Sequence, residues 1–278
     1  MFKYLAALFM VIDHIAYIFE PLLPHPAVLV MRSIGRLAFP MFAYALARGY
    51  NRTRNIFYYF LRLSFFAVIT QILFTVLTRH FNLTQFLFQN VLITFVLAFG
   101  LMVGIDLIER SSMDLMVMMR PVLSEGEVNK RFSPGGIRLP SWLGTVTGIL
   151  LIIASLWLCF VISPDYGLYG LLTVLIFQRT DRSEPSYERS MRKDLKRRRF
   201  LKYFLYDLLL NLLFVYGNYR SYGNDFYTWI QLFSVPAVLL FPLYEISPKP
   251  SKFGKYFFYV FYPAHFCLLL VLRAHLIL

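Results

Sequence analysis

The chain has 278 residues, of which 58% are hydrophobic, 18% aromatic and 15% charged, with a mean hydropathy of +0.59 and a formal net charge of +13. A soluble domain carries roughly 25% charged residues spread over its surface; here the charges crowd into short segments between long apolar runs, which excludes a water-soluble globular domain. The basic excess falls beside helix ends and reads as positive-inside bias, so nucleic acid is not an expected partner.

A membrane-spanning helix needs about 20 mostly apolar residues. In chain order, the apolar runs predict nine helices near 3–21, 27–49, 57–78, 86–108, 142–162, 165–179, 202–217, 226–245 and 256–276. The expected fold is therefore an all-α, polytopic transmembrane helical bundle, one integral membrane domain over residues 1–278. The first run holds Asp13, His14 and Glu20 and lacks a small-x-small cleavage site, so it reads as a retained span rather than a signal peptide. In the second, the stretch from Gly35 to Pro40 can bend the helix and free backbone groups near Arg36. Asp165-Tyr166-Gly167 reads as a cap and tight turn opening the sixth. The sixth and seventh are short, which suits tilted or kinked helices that lean on neighbours. No internal repeat is visible. Cys159 and Cys267 stand alone in apolar segments, so neither a disulfide nor a metal site is expected.

Charge predicts the orientation. With the N-terminus placed in the cytoplasm, 23 of the 28 Lys and Arg residues fall on the inner side. The other five are Arg32, Arg36, Arg79, Arg220 and Arg273. The expectation is a cytoplasmic (inner) membrane protein, N-terminus in and C-terminus out. Two basic inner loops are expected, near 109–141 and 179–202. The second reads either as a collar contacting anionic membrane lipid or as an electrostatic funnel for a phosphorylated ligand. The first contains Ser133-Pro134-Gly135-Gly136, which matches no phosphate-binding signature.

The informative residues are those that interrupt the apolar runs, because an ionisable side chain near a bilayer centre costs at least a few kcal/mol and normally faces a partner inside the bundle. At 1.5 Å per residue, His14 lies roughly 16 Å from Lys3, and Arg36 and His265 lie about 14 Å from the ends of their helices. In a hydrocarbon core about 30 Å thick, these three and Asp13 share the midplane. Neighbouring residues on a helix point about 100° apart, so Asp13 and His14 divide their roles. Asp13 is expected to pair with Arg36, and His14 to face a cavity shared with His265. An imidazole near neutral pKa can take a proton from an amine or hydroxyl and return one to a leaving group. The competing interpretation is an ion pair and hydrogen-bonded histidines that only lock helix packing. Gln71 and Asn90 suit interhelical hydrogen bonds. Asp207 and Asn211 share a face, as packing glue or as site lining. Asn51-Arg52-Thr53 and Asn82-Leu83-Thr84 fit a glycosylation pattern that is common by chance.

Several of these stretches resemble the TraX family, conjugal-transfer proteins associated with N-acetylation of pilin. The matching runs are Met10 to His14, Gly35 to Phe42, Ala67 to Gln71, Asn90 to Leu92, Asp165 to Gly170 and Phe258 to His265, in the family's order over most of the chain. The resemblance implies an integral membrane acetyltransferase drawing on acetyl-CoA. The family's motifs fall on Asp13, His14, Gly35, Arg36, Phe39, Pro40, Gln71, Asn90, Tyr166, Gly167 and His265. A looser likeness to large integral membrane acyltransferases points to His14 with Arg52, Arg54 or Arg62. The long loops at 109–141 and 179–202 depart from the pilin-modifying member.

The leading expectation is acyl transfer. Arg52, Arg54 and Arg62 would attract the phosphates of acetyl-CoA or another acyl-CoA. His14 would deprotonate an amine or hydroxyl acceptor, such as a pilin N-terminus, a peptide or an envelope glycan. Arg36, Gln71 or Asn90 would stabilise the oxyanion, and His265 would orient or assist. The alternatives are a proton-coupled transporter that uses Asp13, His14, Arg36 and His265 as a relay, and a structural envelope-assembly protein.

Overall fold

The computed structural model describes residues 1–53, 55–83, 90–118, 141–182, 193–246 and 252–277, and every regular element among them is helical. The helices are α1 (Phe2–Ile18), α2 (His25–Gly35), α3 (Ala38–Arg52), α4 (Ile56–His80), α5 (Val91–Met118) and α6 (Ser141–Ile162). They continue with α7 (Gly167–Arg182), α8 (Lys193–Tyr222), α9 (Phe226–Trp229), a 3-10 stretch over Ile230–Leu240, α10 (Phe241–Ile246) and α11 (Lys252–Ile277). Among the described residues, seven segments are long and apolar enough to cross a membrane: His25–Arg52, Ile56–His80, Val91–Arg110, Trp142–Ile162, Arg197–Ser221, Phe226–Tyr244 and Tyr256–Leu276. The protein is a polytopic helical bundle.

Local chemistry sets the breaks. Pro40 has no N–H to return to the carbonyl of Arg36, and its ring crowds that carbonyl, so the second run divides into α2 and α3 around Arg36 and Leu37. The Asn55 side chain accepts from the Tyr58 amide at 3.0 Å and caps α4. Asn90 caps α5 by accepting from the Leu92 amide at 3.1 Å. Pro236 lies within the 3-10 stretch that makes up most of the span Phe226–Tyr244, where the looser hydrogen bonding tolerates it.

Several boundaries differ from the sequence reading. α5 begins at Val91 and runs on to Met118, and α8 begins at Lys193, so both loops near 109–141 and 179–202 begin or end as helix. The run expected at 202–217 lies within α8, which at 30 residues is not short. The remainder of those loops, Ser133 to Gly136 included, lies outside the described residues.

α1 and α7, at 17 and 16 residues, are shorter than the seven spans. Both sit at the centre: α1 packs on α2, α3 and α11, and α7 on α3, α5 and α8. α5 and α6 cross with their backbones almost touching. A Cβ at Gly104 would meet the Gly148 carbonyl oxygen at 2.8 Å, and one at Gly148 would meet that of Gly104 at 2.6 Å. Lys3 lies over the Phe258 ring at 5.7 Å, and Arg62 lies among Tyr59, Tyr256 and Tyr259, which gathers the start of α1, the start of α4 and the start of α11 at one basic end. At the opposite end Arg273 donates to the Ile18 carbonyl. α5 does not begin level with the end of α4. Asn90 bonds to the Ala67 carbonyl, eleven residues into α4, so α5 starts about 16 Å along its neighbour.

Candidate active site

The recessed starts of α5 and α7 leave space in mid-bundle, and the polar residues of α1, α2 and α11 fill its rim. Asp13 accepts from Arg32 at 2.8 Å and from Arg36 at 3.0 and 3.1 Å. The approach depends on Gly35, where a Cβ would lie 2.3 Å from the Asp13 carboxyl oxygen. Arg36 also lies 5.8 Å from the centre of the Tyr166 ring, which stacks on Phe39 at 3.9 Å. Tyr166 holds a left-handed backbone, φ 64°, which costs a non-glycine residue about 1–2 kcal/mol and is retained here against the site.

His14 and His265 meet with Nδ1 of the first 2.7 Å from Nε2 of the second, their rings nearly parallel. The other nitrogen of His265, Nδ1, is 2.8 Å from the Phe261 carbonyl. A carbonyl only accepts, so Nδ1 of His265 carries the hydrogen. With both rings neutral, Nε2 of His265 is the acceptor and Nδ1 of His14 the donor. The lone pair of His14 therefore resides on Nε2, which has no hydrogen-bond partner among the described residues. This chain of two bonds fixes the tautomer of the histidine that borders the cavity.

Two cavities meet at this point. The smaller, about 90 Å³, is bordered by Asp13, His14, Arg32, Arg36, Asp165 and Tyr166. The larger, about 320 Å³, reaches from Lys3, Arg52 and Arg62 at the basic end inward to Leu63 and Leu92. Met10, Phe42, Val91, Phe95 and Tyr262 border both and line their common boundary, the neck. A charged mouth, an apolar shaft and a polar chamber thus follow one another along α1, from Lys3 through Met10 to His14.

Of the residues singled out from sequence, Asp13, His14, Arg36, Tyr166 and His265 gather here. Arg52 and Arg62 stand at the mouth, and Arg54 lies outside the described residues. Gly167 begins α7 with φ 41°. Gln71 and Asn90 face each other: Asn90 donates to Gln71 at 3.3 Å and to the Ala67 carbonyl at 3.0 Å while capping α5, which binds α4 to α5 beside the neck rather than lining it. Asn211 bonds with Tyr169 and Ser234 in a separate buried network that also takes in Gln231. Asp207 is 1% exposed and neither carboxyl oxygen has a partner among the described residues.

Sequence reasoning passed over Arg32, counted only as a charge of the outer side, and the mouth residue Lys3. The signal was present: Arg32 and Arg36 are four apart on a helix, hence on one face. Asp165, read as a cap, borders the chamber, and its carbonyl accepts from Thr94. Among the described residues, no group of three or more His, Cys, Asp and Glu side chains is arranged to hold a metal.

The fold and site define a class: a multi-pass membrane protein with a histidine pair and a two-arginine, one-carboxylate cluster at the inner end of a basic-mouthed cavity. The chain belongs to the TraX family, whose model, described as TraX protein, matches residues 1–273. No curated protein and no solved structure matches it.

Proposed function

We propose that this protein transfers an acetyl group from acetyl-CoA to an amine or hydroxyl acceptor inside the membrane. The basic end lies in the cytoplasm and the opposite end outside the inner membrane. The observation that carries the reading is a pair of adjoining cavities with five lining residues in common, one bordered by Lys3, Arg52 and Arg62 and the other by His14, read as one path. Three cations at the mouth suit the donor's phosphates, and the apolar shaft behind them suits the thin, uncharged pantetheine arm. Lys3 to His14 spans roughly 16 Å along α1, so the thioester at the arm's end reaches the chamber while the nucleotide stays at the mouth.

In the chamber, Nε2 of His14 takes a proton from the acceptor as its nitrogen or oxygen attacks the thioester carbonyl. The new C–N or C–O bond forms as the C–S bond breaks, and the proton passes to the departing thiolate. His265 holds the base in the required tautomer and shares the imidazolium charge through the 2.7 Å bond. Asp13 fixes both arginines, and Arg36 offers the developing oxyanion a preorganised positive partner, a role worth roughly 3–4 kcal/mol for a single donor in comparable sites. The acceptor enters from the opposite end, where Asp165 and Tyr166 close the chamber. Family membership supports this chemistry, and pilin is one acceptor it suggests.

The test is thiol release from labelled acetyl-CoA by the purified, membrane-reconstituted protein with envelope extract as acceptor source. Wild type releases CoA and labels an acceptor, and His14→Ala does neither while still binding CoA. Equal turnover by His14→Ala and wild type refutes the assignment.

A further inference from the structure

The chamber has two unlike walls. Charge development during transfer engages the polar one, built from α1, α2 and the turn before α7. The other is apolar: Ala38, Phe39 and Phe42 on α3, and Phe95 on α5. No proton or electron movement uses it. Ala38 and Phe42 are one turn apart and share a face, and Phe39 is pinned between Tyr166 at 3.9 Å and Phe95 at 5.9 Å. Phe42 and Phe95 border both cavities, so on the acyl-transfer reading an arriving thioester comes up against them.

Volume gives this wall a consequence. A water-sized group takes up about 30 Å³ in a filled space, so a 90 Å³ chamber holds on the order of three of them. The acyl carbonyl carbon, its oxygen and the methyl already occupy about three. Two further methylenes exceed the space. Resting on the acyl-transfer reading, we infer that Phe42 and Phe95 are specificity-determining residues: they seat the acyl methyl and restrict the donor to a two-carbon acyl group. With the sulfur in the neck and the carbonyl facing His14, the methyl is directed onto these two rings. Their bulk sets how far a chain extends.

The experiment measures binding of the S-ethyl, S-butyl and S-hexyl thioethers of CoA, together with CoA itself, to the purified full-length protein. These analogues do not react, so no acceptor is needed. Wild type binds S-ethyl at least tenfold more tightly than S-butyl, because overpacking a filled site is costly. In Phe95→Ala the order inverts, and affinity rises about fourfold per added methylene until the new space is filled. Phe42→Ala changes in the same direction, and Phe95→Leu, which keeps an apolar side chain if the alanine variant fails to fold, is intermediate. Affinity independent of chain length in wild type, or a wild-type preference retained by both Phe95 variants and by Phe42→Ala, overturns the inference while leaving the donor reading standing. Failure of wild type to bind CoA or any thioether refutes the donor reading itself.

Discussion

Gly35→Ala removes no functional group, yet it is the sharpest test of the geometry at Asp13. The added Cβ meets Asp13 Cβ and Oδ1 at 2.3 Å and Cγ at 2.6 Å. Ordinary van der Waals contact begins at 3.4 Å, so α1 and α2 must part by about 1 Å. A shift of that size lengthens the Asp13 bonds to Arg32 and Arg36, now 2.8 and 3.0 Å, beyond the range of strong charge-assisted bonds. Overpacking costs roughly 1–3 kcal/mol, and a weakened buried ion pair adds part of the roughly 3–5 kcal/mol that its full loss would cost. A total of about 2–5 kcal/mol lowers the melting temperature by on the order of 10 °C. A reacting group misplaced by about 1 Å also loses on the order of a hundredfold in rate. Gly217→Ala is the control: nothing lies within 4 Å of its Cβ, and alanine in a helix is favoured over glycine by about 0.5–1 kcal/mol. The assay is thermal unfolding of both variants in the same detergent, followed by CoA release. Wild-type melting and turnover in Gly35→Ala would refute the close approach.

The remaining predictions address charge, tautomer, mouth and topology. Asp207→Asn is tolerated or raises the melting temperature, because it replaces a buried carboxyl without a partner among the described residues; Asp13→Asn lowers it by the equivalent of up to roughly 3–5 kcal/mol, because two part-buried arginines lose their anion. His265→Ala lowers kcat by about 10–100-fold with donor affinity unchanged, since the base survives and only its orientation is lost; second-sphere partners of histidine ligands show losses of that order. Lys3→Ala and Arg62→Ala each raise the donor KM by about tenfold or more with little effect on kcat, the mark of an interaction made equally in ground and transition states. Reporter fusions place the N-terminus in the cytoplasm and the C-terminus outside, and labelling of both termini from one side contradicts the charge-based orientation.

The spans were legible because the bilayer imposes one length and one composition on each. The run 86–108 was right as a helix and wrong at its end, since nothing in Glu109-Arg110 stops a helix that has already left the apolar layer. The polar residues of the site were legible for the opposite reason: in an apolar run, Asp13, His14, Arg36 and His265 are conspicuous. Arg32 escaped because it was counted only as a charge of the outer side, although its spacing of four from Arg36 puts both on one face. Phe95 could not be read at all, and Phe39 and Phe42 entered only through the run that resembles the family. In a chain with 29 phenylalanines, nothing local separates a ring that borders a chamber from one that faces lipid.

The charge balance of the chamber bears on how it works. Asp13 alone leaves two guanidinium groups with one anion, and in a low-dielectric interior an excess cation is expensive. Asp165 borders the same space, so two carboxyls stand against two arginines. The balance is uneven: Asp13 is bonded to both arginines, whereas Asp165 borders the cavity beside Tyr166 and forms no ion pair with either among the described residues. A reaction that generates an oxyanion near Arg36 and an imidazolium at His14 therefore creates a pair of opposite charges between groups already oriented to receive them. Little reorganisation is required of the protein at that moment, which is where preorganised sites gain most of their rate. A purely structural ion pair has no such need of an adjoining cavity, and least of all one that shares a wall with a second cavity bordered by Lys3, Arg52 and Arg62.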